Sequence, residues 1–134
     1  MKKAFVIVLV FASISGYSQD KQIKKNNIKS ITETFIDYSS GVEVKYVESE
    51  EVYDQNGELV EIKDNKGGKF VMHEKYAYDA AGNKIKEIRY DAKGKIERIV
   101  DYKYQGKLKT ERIDYFPNGK VRSRKIYTYT THEQ

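Results

Sequence analysis

A corner of the form Asp-x-x-Gly recurs along this chain every ten to fifteen residues, and that limits what the chain can fold into. Tyr78-Asp79-Ala80-Ala81-Gly82 is followed twelve residues on by Tyr90-Asp91-Ala92-Lys93-Gly94. Gln105-Gly106 and Phe116-Pro117-Asn118-Gly119 continue the series, while Asp54-Gln55-Asn56-Gly57 and Asp64-Asn65-Lys66-Gly67 precede it. Aspartate opens such a turn because its carboxylate accepts from the backbone amides ahead of it. Glycine closes it, where φ is positive and a Cβ would clash. Pro117 does the opening differently, by pre-setting φ at the second position before Gly119. A type I turn followed by a left-handed glycine joins neighbouring antiparallel strands. Fixed-period self-similarity of this kind predicts a run of β-hairpins.

The segments between corners are rich in Ile, Val, Tyr, Lys and Arg and contain neither Gly nor Pro, as strand interiors require. Strands are expected near 28–38, 42–53, 59–63, 69–78, 84–90, 95–104, 108–116 and 121–130. The first also carries Ile28, Ile31 and Phe35 at helical spacing, so helix and strand compete there. Val42, Val44 and Tyr46 alternate with charged residues, and the apolar phase flips after Tyr46. A flip within one strand predicts a β-bulge or an apolar contact on both faces. Short connections make consecutive strands pair antiparallel. The expected fold is all-β: an antiparallel β-meander of about eight strands in an open twisted sheet, with a curled partial barrel as the alternative.

The N-terminus reads as a segment separate from that domain. Lys2 and Lys3 precede an unbroken apolar run from Ala4 to Ala12, and small residues follow at Ser13, Ser15, Gly16 and Ser18. That is the layout of a secretory signal peptide over 1–18, with cleavage before Gln19. The run is too short to cross a bilayer, which takes roughly 20 residues. The expected organisation is a leader at 1–18, a flexible basic arm at 19–27, the β-domain at 28–130 and a tail at 131–134. The chain has no cysteine, which excludes disulfides, thiolate metal sites and a lipid-modified N-terminal cysteine. The product is expected to be periplasmic or extracellular, soluble and not a lipoprotein.

Charge is segregated along the chain. Glu33 to Asp64 holds ten acids and two lysines, a net of −8. Lys84 to Tyr127 holds fourteen Lys or Arg and six acids, a net of +8. Such asymmetry bears on partners more than on fold. The apolar supply is thin for two layers, and much of it is tyrosine. Tyrosine buries its ring with its hydroxyl wet, and lysine lays its stem along apolar surface.

The basic half supplies the candidate site. Lys120, Arg122 and Arg124 are two residues apart and are expected to share a strand face, with Lys107 and Lys109 in a neighbouring row. Tyr127 and Tyr129 are expected nearby on the other face. Cations beside aromatic rings suit a polyanion such as an acidic glycan. The same cations on an outer strand also discourage sheet-to-sheet aggregation. His73 in mid-strand and His132 in the tail read as surface or packing residues, and no motif selects a catalytic carboxylate pair. No catalytic residue, metal site or cofactor is expected, and nucleic acid is not an expected partner. An acidic end and a basic end suggest self-association through sheet edges or a face, or a separate protein partner.

Tyr53-Asp54, Tyr78-Asp79 and Tyr90-Asp91, each with glycine three residues after the aspartate, resemble the YD repeats of the Rhs family over about residues 44–127. The resemblance implies a repeat-built β-sheet. Family members use long arrays of these units as a spiralling shell around a toxic cargo domain; with so few units this chain is expected to enclose nothing and to carry no cargo domain, so that role is not expected to transfer. Tyr115-Phe116-Pro117-Asn118-Gly119-Lys120 is similar to MORN-repeat variants, which implies an antitoxin-like immunity protein. The expectation overall is an exported, non-catalytic structural or binding module for protein or envelope interactions.

Overall fold

The computed structural model describes residues 17–132, with side chains from Lys21 onward. The leader expected at 1–18 lies outside these residues except for its last two positions. Eight strands follow one another in space in the order of the chain: β1 Ser30–Asp37, β2 Val44–Tyr53, β3 Leu59–Asp64, β4 Met72–Tyr78, β5 Lys84–Tyr90, β6 Ile96–Gln105, β7 Leu108–Tyr115 and β8 Val121–Ile126. Every neighbouring pair is antiparallel. The sheet is an open meander. It is not closed into a barrel.

The corners explain the order. Asp79 Oδ1 accepts from the amides of Ala81 at 3.0 Å and Asn83 at 2.9 Å, and Gly82 N–H donates to Asp79 O at 3.0 Å. Asp54 and Asp91 make the same three bonds in their own turns. At 116–120 Asn118 takes over part of the role, its Oδ1 accepting from Lys120 N–H at 3.0 Å. After each of these four corners the departing strand carries one unopposed residue, namely Val60, Ile85, Glu97 and Arg122. Gly82 sits at φ +80, a conformation that costs a residue with a Cβ on the order of 1–3 kcal/mol. The corner at Asp64 departs from the shared form: Gly67 and Gly68 are both left-handed in a short 3-10 turn, Lys66–Gly68. Strand β4 therefore begins at Met72 rather than 69.

Three further differences from expectation have local causes. The competition at 28–38 resolves to strand, because β1 pairs along its whole length with β2, across a bulge that leaves Glu48 unopposed just past Tyr46. The expected flexible arm at 19–27 is instead a helix, α1 Tyr17–Lys25, with Ile23 only 4% exposed. Its last turn lies against the β2–β3 corner, where a Cβ on Gly57 would come within 3.1 Å of Lys24 Cβ. Strand β8 stops at Ile126 rather than 130; Tyr127 N–H still donates to Thr110 O at 3.0 Å.

The register assigns the side chains to two faces. One carries Tyr53, Tyr76, Tyr78, Tyr102 and Tyr104; the other carries Ile88, Ile99 and Ile113 with His73 and Tyr90. Among the described residues no second sheet covers either. Val100 nevertheless keeps only 1% of its surface in water, because Glu87 and Asp114 lie directly opposite it and Tyr102 and Arg98 flank it on β6. Long side chains lying down on the sheet take the place of a second layer.

Candidate functional site

The tyrosine face is an ordered ionic lattice. Arg98 grips Asp114 with both nitrogens, Nε to Oδ1 and Nη2 to Oδ2, each at 2.6 Å, and Arg112 Nη2 approaches Oδ2 at 3.1 Å. The Arg98 guanidinium holds the Asp114 carboxyl below the usual carboxylate range, and in return Asp114 raises Arg98. Glu74, 4% exposed, accepts from Arg89 Nε at 2.7 Å and from the Tyr76 hydroxyl at 2.5 Å. Burial, and then the bond to Glu74, pushes the Tyr76 hydroxyl well above the ordinary phenol range. Bidentate charge-assisted pairs of this kind are the strong ones.

A second set of tyrosines ties strands together through the backbone. Tyr78 donates to Leu59 O at 2.7 Å, Tyr104 to Lys84 O at 2.8 Å and Tyr129 to Lys109 O at 2.6 Å. In each case a tyrosine near the end of an even-numbered strand, or just past β8, reaches the first residues of the preceding odd one. Lysines from these same positions lie over rings, Lys84 at 4.5 Å from the centre of Tyr76 and Lys109 at 4.5 Å from that of Tyr102. The corners on the same rim also touch. Asn83 Nδ2 donates to Asp79 Oδ2 and to Gly106 O, and Lys107 Nζ donates to Ala81 O.

The seven residues expected to hold a polyanion are divided by this packing. Lys107 is taken up by the Ala81 carbonyl. Lys109 sits between Tyr102 and Tyr127, 6.0 Å from the latter ring, on the tyrosine face. Arg124 is paired with Glu111 on the isoleucine face, where Lys103 Nζ also reaches Glu111 at 2.9 Å. Those partners hold the Glu111 carboxyl below its usual range, Lys103 first. Arg122 lies over the Phe116 ring at 4.6 Å. The row expected of Lys120, Arg122 and Arg124 is broken: Lys120 precedes β8, and the unopposed Arg122 interrupts the alternation. Tyr127 and Tyr129 stand with Lys109 instead of across from it. Lys109, Tyr102, Tyr127 and Tyr129 therefore form the one compact cation–tyrosine group among the candidates, beside the edge strand.

Two arrangements were not evident from spacing. His73 Nε2 lies 2.8 Å from Glu61 Oε1, and its ring stacks on Tyr90 at 4.7 Å. A diagonal contact across β3 and β4 brings them together, and alternation alone does not select it from the many carboxylates. An open groove of about 700 Å³ runs between α1 and the β2–β3 corner, lined by Lys21, Lys24, Lys25, Glu58, Leu59 and Tyr78. Among the described residues no group of three His, Asp or Glu side chains is placed to hold a metal ion, and no helix is long and apolar enough to cross a membrane. No protein-family model matches the chain, and no curated protein matches it.

The exposed apolar side chains are not spread evenly. Phe35, Ile36, Tyr38, Val42, Val44 and Val47 lie at the β1–β2 end; Leu108, Phe116, Val121, Ile126, Tyr127 and Tyr129 lie at the β7–β8 end; only Phe70, Val71 and Ile96 lie between. Both ends thus combine apolar surface with a free strand edge, one in the acidic half of the chain and the other in the basic half.

Proposed function

We propose that this chain is an exported, non-catalytic binding module built from YD-like hairpins, whose sheet ends engage a protein or envelope partner while its middle strands act as a self-supporting ribbon. The concentration of exposed apolar groups at the two ends carries this reading. Apolar patches that a chain leaves open beside polar ones mark interaction surfaces. In the middle, charged groups are turned toward one another.

The test is co-sedimentation of the purified protein with a cell-envelope fraction. Val42→Ser with Val44→Ser at one end, and Leu108→Ser with Val121→Ser at the other, are expected to lower retention with the sheet intact by circular dichroism. Retention untouched by both pairs overturns the reading. Export is tested on its own by mass spectrometry of the secreted or periplasmic product, expected to begin at Gln19.

A second reading is favoured by the Lys109–Tyr127–Tyr129 group: an acidic glycan held at the basic end. Retention on an anionic column, falling with salt and with Lys109→Ala, supports it. Equal retention of the variant excludes it.

A further inference from the structure

We propose that the sheet ends receive one another: β8 of one copy adds to β1 of the next, so that the sheet continues across a head-to-tail junction between identical chains. This rests on the reading of the ends as binding surfaces and names their occupant.

Four observations converge on it. First, among the described residues β1 and β8 are the two outer strands, each paired on one side only. An edge of this kind presents unpaired N–H and C=O groups ready to accept another strand. Second, the strand number is even. In an eight-stranded meander β8 runs opposite to β1, so a second copy in the same orientation presents a β1 that is antiparallel to β8. The ladder continues in the geometry already used by all seven internal pairs.

Third, the two edges are complementary and each is self-repelling. β8, Val-Arg-Ser-Arg-Lys-Ile, carries three cations and no acid; β1, Ser-Ile-Thr-Glu-Thr-Phe-Ile-Asp, carries two acids and no cation. Like charges facing across a strand pair are unfavourable and opposite ones favourable. Pairing of β8 with β8, or β1 with β1, is thus disfavoured, while β8 with β1 is favoured. Fourth, the faces match. Lys125 lies opposite Arg112, on the tyrosine face, and Glu33, opposite Ser49, reaches that same face through the ladder. Glu33, Thr34, Phe35 and Ile36 are exposed on β1, as are all six residues of β8.

Keeping the faces continuous and all six β8 residues within β1 leaves two registers, and one of them sets Lys125 opposite Glu33. That register is the one proposed. The interface joins two different patches, so it propagates into rings or filaments and does not stop at a dimer.

The experiment is sedimentation velocity of the purified protein across concentration at low salt and at about 1 M salt, where the Debye length falls to about 3 Å. Average mass is expected to climb with concentration at low salt, beyond the dimer, and to drop at high salt. Glu33→Lys alone and Lys125→Glu alone are each expected to weaken association about fivefold; the double reversal is expected to restore it. A monomer at every concentration in low salt overturns the proposal, as do single reversals that associate like the wild type.

Should a variant lose its β-sheet spectrum, zero-length carbodiimide coupling of the wild type decides. Six strands separate β1 from β8 within a chain, roughly 30 Å. An amide between Lys125 and Glu33 is therefore intermolecular and supports the junction; coupling confined to pairs within one chain overturns it. A chain that stays monomeric while still binding the envelope fraction rejects this junction and leaves the wider reading standing.

Discussion

The middle strands and the outer strands solve the same problem in different ways. Strands β4 to β7 have no covering layer, yet Val100, Ile113, Glu74, Glu111 and Asp114 are all buried there. Each has paired neighbours on both sides, and long Arg, Lys and Tyr side chains close over it. Among the described residues strands β1 and β8 each have a neighbour on one side only, and the same residue types remain in water: Ile36 is 42% exposed and Ile126 68%. In a one-layer sheet, burial is thus a matter of position across the sheet. A residue is dry when two flanking strands supply side chains long enough to roof it.

The largest break in that contrast is expected from Asp114→Ala. It strands Arg98 and Arg112, which keep 29% and 22% of their side-chain surface in water. Breaking a buried pair costs about 3–5 kcal/mol; the partial exposure of the arginines lowers the expected loss to about 2 kcal/mol, read from urea unfolding. Next come two glycine variants. Gly57→Ala and Gly94→Ala share φ near +80, so each is expected to lose about 1–2 kcal/mol. Only Gly57→Ala also pushes on Lys24, and only it is expected to speed hydrogen exchange in α1. Equal exchange in both variants would separate α1 from the β2–β3 corner.

Acid sharpens the comparison further. Asp79, Asp91, Glu111 and Asp114 all have carboxyls held below the usual range, by turn amides in the first two and by cations in the others. Their folded pKa lies below the unfolded one, so their stabilisation is fully present above about pH 4 and is lost as pH falls through the folded values. The urea midpoint is expected to hold from pH 5 to neutrality and to drop below about pH 4, less steeply in Asp114→Asn. On the alkaline side burial raises Tyr76, Tyr102 and Tyr104. The unfolded chain ionises first, and stability is expected to decline as pH climbs beyond about 10. The smallest effect on stability belongs to the edge: Ile126→Ser is expected to shift unfolding by less than about 0.5 kcal/mol.

Much of the fold was legible beforehand because its signals are local. An aspartate finds its turn amides within four residues, and a glycine needs only its own φ. The eight strands and their order could be read from those corners. The phase flip after Tyr46 is also a local signal, but it left a bulge and two-sided apolar contact as alternatives, and the register with β1 decides for the bulge. The helix at the expected arm was not legible in this way: Ile23 is a lone apolar residue in a polar segment, and its burial exists only in the folded chain. The candidate row of Lys120, Arg122 and Arg124 failed for a related reason. Alternation counts residues evenly, whereas the corner inserts one unopposed residue at Arg122.

Taken alone, the order of residues determined where this chain bends, how many strands it makes and that each lies beside its neighbour in the chain, since turn chemistry acts over a few bonds. Only the tertiary structure decided which charges meet. Glu74 finds Arg89, Asp114 finds Arg98 and His73 finds Glu61 through register across strands, and no spacing within a single strand encodes that. It also decided which groups are left over for a partner, because exposure in a single-layer sheet depends on how many strands stand to either side.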